Sequence, residues 1–109
     1  MEKSDEQLRQ RFLLETEQAI REANKKIIHE RIPKLTQAHV LPFATTVARL
    51  RSRYLEAAFQ LSSVDDSAPI SEQSITELRQ LRELYEEARL AFESLTRAIE
   101  QGYVDLVDE

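Results

Sequence analysis

The sequence predicts an all-α protein: an up-down-up antiparallel bundle of three long amphipathic helices, at about 4–31, 39–62 and 72–101, that dimerises. Three observations lead there. Ala, Glu, Lys, Leu and Arg supply 55 of the 109 residues, the composition of long helices and coiled coils. Apolar residues recur at three- and four-residue spacing in three separate stretches. The chain holds one glycine, whereas hairpin turns draw on Gly and Asn for their left-handed positions. The hydrophobic fraction of 41% is too high for a disordered chain. The length suits one compact domain and not two, so residues 1–109 read as a single helical domain with a loop at 62–71 and a C-terminal tail at 103–109.

The first helix should begin at Ser4, which can cap it, with Asp5 and Glu6 in the first turn where the macrodipole favours acids. Leu8, Phe12, Leu13, Thr16, Ala19, Ile20, Ala23 and Ile27 fall within one arc of about 140°. Pro33 disfavours helical geometry at Ile32 and ends the helix near Glu30 or Arg31.

The second helix carries a heptad seam: Val40, Phe43, Val47, Leu50, Tyr54, Ala57 and Leu61 repeat at alternating spacings of three and four. Pro42 lies inside this pattern. It costs no hydrogen bond if the helix starts at or after His39, because first-turn N–H groups have no intrahelical partner. The third helix begins at Ser71 or Ser74. Ser71 as cap makes Ile70 and Ile75 a hydrophobic staple, while Ser74 as cap lets Glu77 complete a capping box. Its seam is Leu78, Leu81, Tyr85, Ala88, Phe92, Leu95 and Ile99, and Gly102 stands where a left-handed residue would end it.

The second helix is apolar on more of its surface than the other two. Beside its seam runs an outer row, Leu41, Ala44, Ala48, Leu55 and Phe59, displaced by about 130°. A middle helix touching both neighbours would use such a row, and so would a helix that meets another chain. Arg51 falls between the two rows, where a charge needs a partner. It pairs with a Glu of a neighbouring helix, snorkels, or anchors an interface. Leu41, Ala44, Ala48, Arg51, Leu55 and Phe59 are therefore the candidate interface.

The formal net charge of -5 is unevenly spread. Residues 21–53 hold eight bases against two acids, and residues 54–109 hold thirteen acids against four bases. A basic middle and an acidic end point to opposite charge in the chain's own third helix or in a second copy. They also leave a candidate basic patch of Lys34, Arg49 and Arg53 for nucleic acid. Against that reading stand the pI of about 5.1 and the location of Phe43 and Tyr54 on the seam, where they cannot stack on bases.

Chemistry is poorly represented. There is no cysteine, hence no disulfide, thiolate metal site or Cys nucleophile. The two histidines, His29 and His39, flank one connection in a basic surrounding, without a His-Glu-x-x-His or Glu-x-x-His pattern. Glu83, Glu86 and Glu87 share the face opposite the third seam and read as a solvated face. One glycine cannot build a phosphate-cradling loop. No enzyme, metal or cofactor is expected. The polar, acidic N-terminus is unlike a signal peptide, and the longest uncharged stretch, Leu35 to Ala48, is too short to span a bilayer. The expectation is a cytoplasmic, non-enzymatic helical interaction module (adaptor, chaperone-like or assembly factor) that binds itself or another protein through helix 2, with no membrane partner. The alternative is a nucleic-acid-associated regulator using the basic segment 21–53. The tail, in which Tyr103, Val104, Leu106 and Val107 alternate with acids, folds back, frays or binds a partner.

Overall fold

The computed structural model describes residues 2–63 and 69–108, with side chains from Ser4 onward. They are all-helical: α1 (Glu2–Arg31), α2 (Gln37–Ser62) and α3 (Glu72–Glu100), with no strand among the described residues beyond one isolated bridge. Residues 64–68 of the expected 62–71 loop lie outside the described residues. The chain divides into two compact units, Met1–Thr36 with Arg97–Glu109, and Gln37–Thr96.

In the first unit α1 starts two residues ahead of the expected Ser4 cap, so Ser4 lies inside the first turn. Glu2 and Lys3 are ordinary helix formers and nothing in them stops the helix. Its last bond runs from Ile32 N–H to the Ile28 carbonyl at 2.7 Å, and Pro33 ends it as the sequence requires. The tail then pairs with the connection. Leu35 N–H donates to the Asp105 carbonyl and Val107 N–H donates to the Leu35 carbonyl, both at 2.9 Å, a parallel bridge between Leu35 and Leu106. Leu35, Thr36 and Val104 are buried there, with Tyr103 and Val107 half-buried. Of the three fates open to the tail, it folds back.

Gly102 directs the chain into that tail. Its φ is +73°, its N–H donates to the Ile99 carbonyl at 3.0 Å, and Tyr103 N–H donates to the Ala98 carbonyl at 2.8 Å. These two bonds, with a left-handed residue after the helix, make a Schellman motif that satisfies carbonyls α3 would otherwise leave open.

In the second unit α2 and α3 run antiparallel, since partners on α3 fall in number as those on α2 rise. Phe43 meets Phe92 edge to face, with ring centroids 5.3 Å apart and planes at 74°. Tyr54 stacks on Tyr85 at 6.2 Å and 22°. Every residue of both expected seams is buried or half-buried, with Val47 the most enclosed. Ser71, not Ser74, caps α3: its Oγ accepts the Ser74 N–H at 3.1 Å, the N3 donor that an N-cap side chain serves.

The start of α2 needs correction. It begins at Gln37 rather than His39, which places Pro42 inside the helix. Pro42 has no N–H for the Ala38 carbonyl, so one intrahelical bond is lost. The cause is tertiary. The two bonds to the tail hold Leu35 extended, Thr36 takes the position before the first turn, and the helix starts directly after it. Thr is a favoured residue there.

Candidate functional site

α2 separates its two apolar rows sharply. The seam faces α3. On the outer row Leu41, Leu55 and Phe59 are 62%, 47% and 73% exposed. Ala48 is also exposed and Ala44 half-buried. The large side chains of the row are therefore exposed. Burying a Leu or Phe side chain fully is worth about 1.5–3 kcal/mol, so a partner that covers these three gains several kcal/mol of apolar transfer. Alanines at 44 and 48 leave the backbone accessible to a close helix approach.

Arg51 borders this row and is exposed, with a contact to α3. Its Nε donates to Tyr85 Oη at 3.1 Å, and its guanidinium carbon lies 5.3 Å from the centre of the Tyr85 ring, within cation–π range. Its contact on α3 is thus a tyrosine, not a glutamate, and that tyrosine itself stacks on Tyr54. The antiparallel register that pairs Phe43 with Phe92 brings Arg51 level with Tyr85. That register was the available signal, and a search confined to opposite charges misses it.

The basic residues are placed differently from the candidate interface. Arg49 and Arg53 are exposed on α2, and among the described residues neither makes an ion pair with α3. Lys34 is exposed in the other unit. Two acids of α3 pair within their own helix: Arg89 holds Glu86 and Glu93, each at 2.6 Å. The hydrogen bond that Arg89 donates to the Glu86 carboxylate is the main reason that its guanidinium lies above its ordinary pKa. Glu86 is half-buried in this pairing, while Glu83 and Glu87 are exposed.

His29 Nε2 lies 3.3 Å from Asp105 Oδ2, so this histidine meets the tail, a contact that spacing along the chain did not signal. Among the described residues no group of three or more His, Asp or Glu could hold a metal ion. A cleft of about 310 Å³ between α2 and α3 is lined by Arg53, Glu56, Leu61, Ser74, Glu77 and Leu78 among others. Its lining residues bring together acids, an arginine and a serine. Among the described residues no helix is long and apolar enough to cross a membrane. No family model, curated protein or solved structure matches this chain.

Proposed function

We propose that this chain is a non-enzymatic helical protein–protein interaction module, of the adaptor, chaperone-like or assembly-factor kind, that self-associates through α2. The observation that carries the reading is the uncovered outer row, Leu41, Leu55 and Phe59, on a helix whose seam is already satisfied by α3. Contiguous exposed apolar surface marks interaction sites, and a row repeated on identical chains can meet itself across a two-fold axis. Arg51, tied to Tyr85, borders the row without needing a second partner. Sedimentation equilibrium tests the reading. The native chain should self-associate with concentration, and Leu55→Glu with Phe59→Glu should lower its average mass at a given concentration. A native chain that stays monomeric at millimolar concentration would overturn self-association.

A second reading rests on the exposed Arg49 and Arg53, which make no ion pair among the described residues. It makes the chain a nucleic-acid-associated regulator. Filter binding at low salt, where counterion release is strongest, should show retention that Arg49→Gln with Arg53→Gln removes. No retention at low salt discards this reading.

A further inference from the structure

We infer that α1 is a second self-association element, pairing antiparallel with α1 of another copy, independently of the α2 row. From Ser4 to Ala23 every residue of α1 is exposed. Its apolar arc is uncovered along its length: Leu8, Phe12, Leu13, Ile20 and Ile27 are 52–66% exposed. A helix of this length exposing an entire apolar stripe is stabilised chiefly by whatever covers that stripe.

The charge of α1 names the occupant. Residues 4–17 carry Asp5, Glu6, Glu15 and Glu17 against Arg9 and Arg11. Residues 18–31 carry Arg21, Lys25, Lys26 and Arg31 against Glu22 and Glu30. The halves are equal in length and opposite in net sign. Two parallel copies would set like halves side by side. Two antiparallel copies set each acidic half against a basic one, and the helix dipoles oppose as well. Exposed ion pairs are worth at most about 1 kcal/mol each, so charge selects the orientation and the apolar arc supplies the affinity. Full overlap of the halves centres the pair near residues 17 and 18. A chain with two separate two-fold seams assembles beyond dimers.

Because the chain has no cysteine, nitroxide labels report this cleanly. The full chain is labelled at Ser4→Cys in one preparation and at Glu17→Cys in another, and distances between copies are read by pulsed electron resonance. Antiparallel pairing at about 1.5 Å per residue puts the Ser4 labels about 40–45 Å apart, and the Glu17 labels about 20–25 Å apart across neighbouring helices. Distances of about 20–25 Å at both positions mean a parallel pair and overturn the inference, as does a lack of defined distances at either. The same labels are then read with Leu55→Glu and Phe59→Glu present. Persistence of both distances shows the α1 seam standing alone, even if the α2 reading fails. Their loss makes the α1 contact a by-product of α2 and overturns it.

Discussion

Arg51 Nε donates a hydrogen bond to Tyr85 Oη at 3.1 Å while its guanidinium sits 5.3 Å from the centre of the same ring. One tyrosine thereby meets a charge from the side that α2 presents to it and stacks on Tyr54 as well. The arginine that interrupts the apolar surface of α2 is committed within the chain, which leaves the outer row beside it apolar.

That contact has two separable parts. Tyr85→Phe removes the hydrogen bond and keeps the ring, and should cost about 0.5–1.5 kcal/mol. Arg51→Met removes the bond and the cation–π contact, the latter worth about 0.5–1 kcal/mol at an exposed site. Urea unfolding of both singles and the double checks this. A coupling energy near zero would mean that the two side chains do not interact in solution.

Gly102 should tolerate replacement poorly although a Cβ there would meet nothing within 4 Å. The penalty comes from the backbone, because φ of +73° is a left-handed conformation that costs an L side chain about 1–2 kcal/mol. Gly102→Ala should lower stability by about 1 kcal/mol, and Gly102→Asn by less, since Asn visits this region more readily. Equal effects would mean that the left-handed backbone does not set the penalty.

Pro42 is expected to be a cost that α2 carries. Pro42→Ala restores a donor to the Ala38 carbonyl and should raise stability by about 1 kcal/mol, below the full interior-proline penalty because the position is near the helix start. Thermal unfolding followed by circular dichroism measures it. A lowered midpoint would show that the proline ring contributes packing that outweighs the missing bond.

The tail bridge predicts a local pattern of amide exchange. The N–H groups of Leu35 and Val107 are donors in the bridge and should exchange slowly. Val104→Asp, which places a charge at a side chain 6% exposed, should release both while amides in the middle of α2 and α3 stay protected. Slow exchange at Leu35 in that variant would mean that the connection is held without the tail.

The helical part of this structure was legible because periodicity speaks directly to helices. The α2 and α3 seams were readable residue by residue, since alternating spacings of three and four admit one face. Gly102 was readable because no other residue offers the left-handed conformation as cheaply. What stayed hidden depends on contacts distant in sequence. The bridge from Leu35 to the tail uses backbone groups, which leave no side-chain signature. It moved the start of α2 to Gln37 and put Pro42 inside the helix. Tyr85 was missed as the partner of Arg51 because its seam position explained it already. The outer row of α2 was visible as a row, but periodicity does not distinguish a face covered by the chain itself from one left open.

The proposed self-association through α2 is tested most directly by trapping it. A single cysteine at Ala48, in the exposed outer row, should give a disulfide-linked dimer in high yield on mild oxidation. A single cysteine at Gln60, exposed on another face of the same helix, should give little. Equal yields from the two positions, or no covalent dimer from Ala48→Cys, would contradict an α2 interface.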